Sequence, residues 1–236
     1  MIIIPMAGLS SRFFKAGFDQ PKYKLIAHGH SLFEWSVKSF EKYYNTEKFL
    51  FICRDVFDTP QFLEQELKKI GINDFEIATL NRETRGQAET IYLNLDKVPE
   101  NEKMLIFNID TYRKDFEFYD VNCDGYLEVF KGDGEHWSFI LPEENTDKVL
   151  KTTEKDRISD LCSNGIYFFK NKKIYEYAYN NSINHMVGEI YIAPLFNNLI
   201  KNNYDIRYRL VNINNHTFMG TPAEYDLFIK NGNSRN

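Results

Sequence analysis

Short apolar runs alternate with amphipathic stretches through the first half of the chain. Each apolar run has the length and continuous hydrophobicity typical of a buried strand, which predicts strands at 1–4, 48–53, 75–80 and 103–109. Between them, apolar residues recur at helical spacing, which predicts helices at 31–44, 59–70 and about 87–95. Strands that alternate with helices in this way predict an α/β fold with a doubly wound, mostly parallel sheet.

The pattern changes after Asp110. Strand-like runs with little helix between them predict a mixed or antiparallel part of the sheet at about 123–131, 137–142, 147–153 and 164–169. The last predicted elements are a helix at 188–203, a strand at 205–213 and a helix at 220–230. No internal repeat or Pro/Gly-rich linker divides the chain, so we expect one domain over 1–230, with helices flanking the sheet, and a frayed tail over 231–236.

The composition limits the classes of function. The chain has 236 residues, of which 43% are hydrophobic, so it can fill one sizeable α/β core. Its net charge of −5 argues against a broad basic surface, and no nucleic-acid partner is expected. Three widely spaced cysteines, Cys53, Cys123 and Cys162, indicate neither a disulfide framework nor a zinc knuckle, which favours the cytoplasm. Membrane insertion is not expected either, because no stretch is long enough to cross a bilayer. Self-association into a homo-oligomer is left open.

A loop of small and polar residues follows the first strand. Gly8 would let a phosphate approach the backbone, Ser10 and Ser11 add hydroxyl donors, and Arg12 adds a planar cation. The alternative is a tight strand-to-helix turn with a capping serine. Lys22 favours the phosphate site, because a rigid Pro-Lys dipeptide can hold the lysine against the same phosphates. The candidate nucleotide-binding loop consists of Ala7, Gly8, Leu9, Ser10 and Ser11.

This stretch resembles the signature of the nucleotidyltransferases, or pyrophosphorylases, that activate sugar 1-phosphates. In that family a glycine-rich loop ends in Ser/Thr-Arg, and a Pro-Lys pair follows at a fixed distance. Arg12, Pro21 and Lys22 keep that spacing, with the proline nine and the lysine ten residues after the arginine. Ser10 departs from the signature, because most of the family has a second glycine there.

Two later segments resemble the family on its nucleotide side. The segment 81–90 resembles the loop that reads the nucleobase, where Gly86 leaves room for a base and Asn81 or Gln87 can hydrogen-bond its edge. Asp110 ends a hydrophobic strand where the family holds Mg²⁺. An isolated aspartate of this kind is more often a turn or capping residue, but at the carboxyl end of a central parallel strand it would face the ligand crevice.

Four further segments resemble the family, and the first three concern the acceptor. Glu154 and Lys155 resemble a Glu-Lys pair in which the glutamate accepts hydrogen bonds from substrate hydroxyls and the lysine holds the acceptor's phosphate. The dipeptide alone would indicate a solvated charge pair. Asn164 begins a strand segment, Asn-Gly-Ile-Tyr, that is similar to the family's, and Glu189 lies in a segment that resembles its Glu-Tyr helix. The resemblance implies that both residues bind the acceptor. The segment 219–228 resembles its C-terminal Gly-Thr-Pro-Glu turn.

The resemblance implies a Rossmann-like sheet of the GT-A type, and transfer of a nucleoside monophosphate from an NTP to a phosphorylated acceptor with release of pyrophosphate. It implies that Arg12 binds the β- and γ-phosphates, that Lys22 binds the α-phosphate, and that Lys155 binds the acceptor's phosphate. Asp110 is then the ligand of Mg²⁺, the expected cofactor.

Phe218 departs from the family, which commonly has a metal-binding aspartate two residues before the last glycine. Phenylalanine cannot bind Mg²⁺. Three outcomes follow: activity is weakened or lost, the site works with fewer protein ligands, or another oxygen ligand substitutes, the candidates being Glu189, Asn215 and Glu224.

Several functions stay open at this level. A sugar 1-phosphate acceptor, used for surface polysaccharide precursors, fits the resemblance most directly, but a cytidylyltransferase for a non-sugar phosphate such as phosphocholine or a phosphonate has similar loops. A GT-A-type glycosyltransferase would normally hold its metal with Asp-x-Asp, and here Tyr112 takes the place of the second aspartate. A catalytically silent nucleotide-binding subunit would accommodate Phe218. The sequence does not identify the nucleobase of the NTP, since Asn81 and Gln87 can each hydrogen-bond several bases.

Overall fold

The structure is a computed structural model that describes residues 1–232. Its strands are β1 (Ile2–Pro5), β2 (Ile26–Ala27), β3 (His30–Ser31), β4 (Phe49–Arg54), β5 (Phe75–Leu80), β6 (Met104–Phe107), β7 (Thr111–Arg113), β8 (Gly125–Lys131), β9 (Ser138–Pro142), β10 (Val149–Glu154), β11 (Leu161–Phe169), β12 (Ile206–Leu210) and β13 (His216–Phe218). Its helices are α1 (Ser11–Lys15), α2 (Leu32–Lys38), α3 (Thr59–Ile70), α4 (Gln87–Tyr92), α5 (Lys172–Ser182), α6 (Phe196–Lys201) and α7 (Pro222–Gly232).

Nine of the described strands form one mixed sheet, in the order β10-β9-β11-β6-β1-β4-β5, with β8 beside β11 and β12 beside β8. β1 pairs in parallel with β4 and β6, and β5 extends the parallel part beyond β4. Antiparallel pairing begins at β11, which joins β6, β8 and β9. The predicted fold class and the predicted change of pairing after Asp110 are both confirmed.

Helices cover both faces of this sheet. Side chains of β1 alternate, so that Ile3 packs in one apolar cluster while Ile2 and Ile4 pack in another. The cluster around Ile3 includes buried residues of α4, α5 and α6, whereas the other includes residues of α2 and α3. The described part of the sheet is therefore covered on both faces, and a ligand would reach it at the ends of the strands.

Local signals explain several boundaries. A serine cap starts α2, since Ser31 Oγ accepts a hydrogen bond from the backbone N–H of Glu34 at 3.1 Å. The helix α3 has the predicted bounds, with Pro60 in its first turn and Gly71, at a φ of 84°, directly after its last residue. Strand β5 also coincides with its prediction.

Other predicted boundaries are corrected. The helix α2 ends at Lys38, and only a short 3₁₀ turn (Glu41–Tyr43) follows within the predicted span. The helix predicted over 188–203 begins only at a 3₁₀ turn (Ala193–Leu195), because Pro194 fits a first turn but not a helix interior. The elements α1, α5, β2, β3, β7 and β13 were not predicted. Of the predicted frayed tail over 231–236, residues 231–232 continue α7, and 233–236 lie outside the described residues. Within 1–232, no helix combines the length and apolar character needed to cross a membrane.

Candidate active site

Two adjoining cavities open at the carboxyl ends of the central strands. The first has a volume of about 610 Å³ and the second a volume of about 440 Å³. The two cavities share five lining residues, which mark the boundary where the cavities meet: Arg12, Gln87, Asp110, Glu189 and Gly220. This edge is where a doubly wound sheet binds its ligands. Two ligands could therefore contact each other along this boundary.

The loop after β1 forms one wall of the first cavity. A Cβ added at Gly8 would meet no described atom within 4 Å, so this part of the backbone is open to a ligand. Ser10 has a φ of 52°, in the left-handed region that glycine adopts without strain. Its Oγ accepts a hydrogen bond from the backbone N–H of Lys22 at 3.2 Å and, in the described structure, does not cap α1. The serine thus ties the loop to the Pro-Lys segment.

Lys22 and Asp110 form an ion pair in the first cavity. Lys22 Nζ lies 3.1 Å from Asp110 Oδ2, and the two side chains are 18% and 29% exposed. Pro21 holds the preceding backbone extended, and Asp110 lies in the turn between β6 and β7. An ion pair this accessible to water contributes about 0–1 kcal/mol to stability. Because Asp110 lines both cavities, the pair is placed to act on ligands.

The loop before α4 forms the opposite wall. Gly86 has a φ of +132°, and a Cβ there would lie 2.6 Å from the carbonyl oxygen of Ile190, so only glycine fits. The backbone N–H of Ala88 donates to the same carbonyl oxygen at 3.2 Å. This contact joins the loop to the segment that carries Glu189, while Gln87, the first residue of α4, lines both cavities.

Charged and hydroxyl groups line the second cavity. Lys155 Nζ lies 2.5 Å from the hydroxyl oxygen of Tyr191 and 3.8 Å from Glu154 Oε1. The hydrogen bond to Tyr191 raises the pKa of Lys155, which keeps the ammonium charged. Burial raises the pKa of Glu154, which accepts a hydrogen bond from Ser138. Tyr191 in turn donates to Glu189, so Lys155, Tyr191 and Glu189 form a chain of hydrogen bonds.

A group of four polar residues lies behind the second cavity: Arg113, Glu128, Asn164 and His216, here called the buried network. Arg113 Nε donates to Glu128 Oε1 at 2.6 Å, and the two residues are 2% and 1% exposed. Asn164 Nδ2 donates to the same oxygen at 2.7 Å and to His216 Nε2 at 2.9 Å. Burial, together with the charge of Arg113, lowers the pKa of His216 to about 4, so its ring is neutral at pH 7.

The strands β7 and β13 pair to form a ribbon beside both cavities. Asp110 directly precedes β7, and the backbone N–H of Met219, directly after β13, donates to the Asp110 carbonyl oxygen at 2.7 Å. The ring of Phe218 lies against Trp137 and His216, with centroid separations of 4.9 and 5.6 Å. Residue 218 therefore belongs to an aromatic wall of the second cavity.

Oxygen atoms near Asp110 fit a magnesium ion. Mg²⁺ keeps several waters and is usually held by one or two carboxylates together with substrate phosphates. Asp110 supplies one carboxylate, and Asn108 Oδ1, two residues earlier in the second cavity, is buried with no hydrogen-bond partner in the described residues. No group of three or more His, Cys, Asp or Glu within 1–232 is arranged to hold a metal. The donor set thus suits an ion that depends largely on its substrate.

The three candidates for the missing ligand at residue 218 differ in position. Glu224 Oε2 accepts a hydrogen bond from the backbone N–H of Thr221 at 2.8 Å, in a capping box that starts α7. Asn215 is not among the described residues that line either cavity, whereas Glu189 lines both.

The predicted site residues come together with one exception. All of them line one or both cavities apart from Asn81, which is exposed and outside the described lining of either. Several lining residues were not predicted: Arg85, Trp137, Ser138, Tyr191 and Thr221. Tyr191 lies within the recognised Glu-Tyr segment and could have been found there. Ser138 faces Glu154 only through the pairing of β9 with β10, which no local pattern reveals.

Comparisons with known proteins identify the fold. No protein-family model matches the chain, and no curated protein matches it. The crystal structure of the nucleoside-diphosphate-sugar pyrophosphorylase from Vibrio cholerae RC9 is similar, with a TM-score of 0.94 and 48% identity over 98% of this chain and 100% of that chain. The inositol-1-phosphate CTP transferase from T. maritima shares the fold, with a TM-score of 0.77 and 18% identity over 98% of this chain and 96% of that chain. The CTP:phosphocholine cytidylyltransferase from Streptococcus pneumoniae also shares it, with a TM-score of 0.76 and 14% identity over 97% of each chain.

The fold is therefore that of the nucleotidyltransferases. The chain belongs to the nucleoside-diphosphate-sugar pyrophosphorylase family, and it is an enzyme of the nucleotidyltransferase class.

Proposed function

We propose that the protein transfers a nucleoside monophosphate from an NTP to a phosphorylated small molecule, preferentially a sugar 1-phosphate, and releases pyrophosphate. The observation that carries this proposal is the meeting of two cavities at Arg12 and Asp110. The first cavity has an open backbone loop for a triphosphate, and the second has a lysine among hydrogen-bonding groups for a second polar substrate. The product would supply surface polysaccharide precursors, and we expect the enzyme in the cytoplasm.

Charge neutralisation and positioning account for the chemistry. In this proposal Arg12 binds the β- and γ-phosphates and the departing pyrophosphate, while Lys22 binds the α-phosphate. An oxygen of the acceptor's phosphate attacks the α-phosphorus, and the bond from that phosphorus to the bridging oxygen breaks in line. No general base is required, because a phosphate monoester is mostly a dianion near pH 7.

The second cavity would hold the acceptor. Lys155 binds the acceptor's phosphate in this arrangement, because its charged ammonium lies beside Tyr191 and both residues line the cavity. Glu154 and Glu189 then accept hydrogen bonds from substrate hydroxyls. Gln87 and Gly86 remain the proposed contacts to the nucleobase, and Asn81 would need a rearrangement of its loop to join them.

Asp110 would hold Mg²⁺, which when bound neutralises phosphate charge and polarises the α-phosphate. Because phenylalanine has no oxygen donor, we expect no metal ligand from the Phe218 side chain, which packs against Trp137 and His216 instead. A crystal structure with an NTP and Mn²⁺ tests this, since the anomalous peak should lie in contact with the Asp110 carboxylate. A peak coordinated only by other protein residues would contradict the assignment.

An assay of pyrophosphate release with each NTP and a set of sugar 1-phosphates tests the function. We expect release that requires both substrates, and a loss of about two to three orders of magnitude in rate for Lys22→Ala and for Asp110→Ala. Lys24→Ala is the matched control, because Lys24 lies two residues from Lys22 but outside the described lining of both cavities. Wild-type turnover in both variants would overturn the roles assigned to Lys22 and Asp110. For the wild type, hydrolysis of a nucleotide sugar would indicate a glycosyltransferase, and binding without turnover would indicate a silent subunit.

A cationic acceptor such as phosphocholine is the second candidate. The aromatic wall formed by Trp137 and Phe218 lies in the same cavity as Glu154 and Glu189, and aromatic faces with nearby carboxylates favour a quaternary ammonium group. Phosphocholine and CTP therefore belong in the assay panel. Turnover of this pair in preference to all sugar 1-phosphates would make the protein a cytidylyltransferase for a non-sugar phosphate.

A further inference from the structure

The buried network joins strands of two different sheets. Glu128 lies on β8 and Asn164 on β11 in the central sheet, whereas Arg113 and His216 lie on β7 and β13 in the ribbon. Arg113 and His216 are direct partners in the register of the ribbon. A single carboxylate, that of Glu128, therefore receives a hydrogen bond from each sheet. The network fastens the ribbon to the sheet that carries the cavities.

Both N–H donors of the Asn164 side-chain amide are used inside this network. Its Nδ2 donates one hydrogen to Glu128 Oε1 and the other to His216 Nε2, at 2.7 and 2.9 Å. Its Oδ1 accepts from the backbone N–H of Ile166 at 3.1 Å, and the residue is only 3% exposed. Asn164 cannot donate to an acceptor molecule without giving up a buried bond, which costs more than the new bond returns.

The ribbon in turn sets the place of Asp110. The Asp110 carbonyl oxygen receives the Met219 hydrogen bond at one end, and the backbone N–H of Lys114 donates to the Asn215 carbonyl oxygen at 2.8 Å at the other. Gly220, which follows Met219, lies so close that an added Cβ would be 3.0 Å from Asp110 Oδ2. Any shift of the ribbon therefore moves the carboxylate that lines both cavities.

We propose that Asn164 and His216 are positioning residues, which hold the β7–β13 ribbon against the central sheet and so fix the Asp110 carboxylate where the two cavities meet. Asn164 then acts on catalysis through Asp110, and it is not an acceptor-binding residue. The kinetic part of this inference rests on the proposed function, whereas its structural part does not.

Backbone hydrogen exchange tests the structural part without any substrate. We expect the amides of 111–113 and 216–219 to exchange at least about tenfold faster in Asn164→Ala and in His216→Ala, because each variant removes a hydrogen bond that fastens the ribbon. Strand β4 should be unchanged. His216→Gln should restore slow exchange, since its amide oxygen can accept the hydrogen bond from Asn164.

Asn198→Ala is the matched control, because it also removes an amide donor. Asn198 lies on α6, outside the described lining of both cavities, and its Nδ2 donates to Ser182 Oγ on α5 at 2.6 Å. It should leave the ribbon's exchange unchanged. Should Asn164→Ala not fold, the half-buried His216 variants decide the matter. Unchanged exchange in the ribbon of His216→Ala, or an equal increase throughout the sheet, would overturn the proposal.

Kinetics separate positioning from direct binding. If the proposed transfer is observed in the wild type, Asn164→Ala should lower kcat by about tenfold or more and raise the Mg²⁺ concentration needed for half-maximal rate, with the KM for the acceptor unchanged. A raised acceptor KM with unaltered kcat and metal requirement would instead assign Asn164 to the acceptor. A wild type that lacks activity with every substrate pair would refute the proposed function while leaving the exchange experiment decisive for the ribbon.

Discussion

Replacement of Gly220 by alanine would displace the Asp110 carboxyl group without changing its chemical identity. The added Cβ would lie 3.0 Å from Asp110 Oδ2, 3.2 Å from its Cβ and 3.3 Å from its Cγ. An ordinary contact begins at 3.4 Å, so the carboxyl group must retreat as a whole by about 0.4 Å or more. Such a retreat also strains the 3.1 Å contact with Lys22. The variant therefore tests how tightly the site depends on the place of one carboxylate.

The expected effect is moderate on rate and small on stability. A misplacement of about 1 Å can cost about 100-fold, and a retreat of about 0.4 Å is close to the displacement of about 0.5 Å that a productive site tolerates, so we expect kcat to fall by about 3- to 10-fold. The backbone at Gly220 does not have a positive φ, and replacing glycine reduces the entropy of the unfolded chain. The free energy of unfolding should therefore change by less than about 1 kcal/mol.

A double-mutant cycle with Asp110→Ala isolates the cause. Initial rates of pyrophosphate release and urea unfolding curves are measured for the wild type, Gly220→Ala, Asp110→Ala and the double variant. If the added methyl acts through the carboxylate, it should have no further effect on the rate once Asp110 is alanine. Equal rate losses in both backgrounds, or a loss explained by unfolding, would refute this reasoning.

Two further predictions concern stability. Gly86→Ala should lower the free energy of unfolding by about 2–5 kcal/mol in urea titrations. The φ of +132° disfavours alanine, and the added Cβ would collide with the Ile190 carbonyl oxygen. A change below about 1 kcal/mol would contradict this close approach. The pKa of His216 is lowered from 6.5 to about 4, chiefly by burial, so folding favours the neutral ring. That contribution is fully present above pH 6.5 and is lost as the pH falls toward 4, by up to about 3 kcal/mol. Unfolding curves of the wild type and His216→Gln should therefore converge or cross as the pH falls over this range, and parallel pH profiles would refute the prediction.

Much of the fold follows from the hydrophobic pattern. Runs such as 48–53 and 75–80 are continuous enough to specify buried strands, and alternation with helices specifies a doubly wound sheet. The position of Asp110 follows from the same rule, because the carboxyl ends of parallel strands meet at one edge. The spacing of Arg12 and Lys22 then locates the other side of the first cavity.

The omitted elements lacked a clear local signal. In α5, Ile174, Tyr175, Ala178 and Tyr179 are buried at helical spacing and Asn171 caps the helix, but tyrosines favour strands and weaken the helical pattern. The strands β7 and β13 have three residues each, which is too short for an alternation to be recognised. The ribbon could therefore not be predicted, although it holds Asp110.

Interactions set by register were also beyond local sequence patterns. Glu128 meets Arg113 and Asn164 only because β8, β7 and β11 converge behind the second cavity. The same holds for Phe218, whose sequence position indicates a missing metal ligand but not its packing against Trp137. The sequence resemblance implied that Asn164 binds the acceptor, and its hydrogen bonds favour a different role.

The most direct test of the central claim follows the α-phosphate of the NTP. An NTP radiolabelled at the α-phosphate is incubated with the enzyme and the phosphorylated acceptor that supports pyrophosphate release, and the products are separated. Transfer at the α-phosphorus predicts that the label appears in the nucleotide-linked acceptor, while label placed at the γ-phosphate appears only in pyrophosphate. Label from the γ-phosphate in the acceptor, or label from the α-phosphate only in free nucleoside monophosphate, would contradict nucleotidyl transfer.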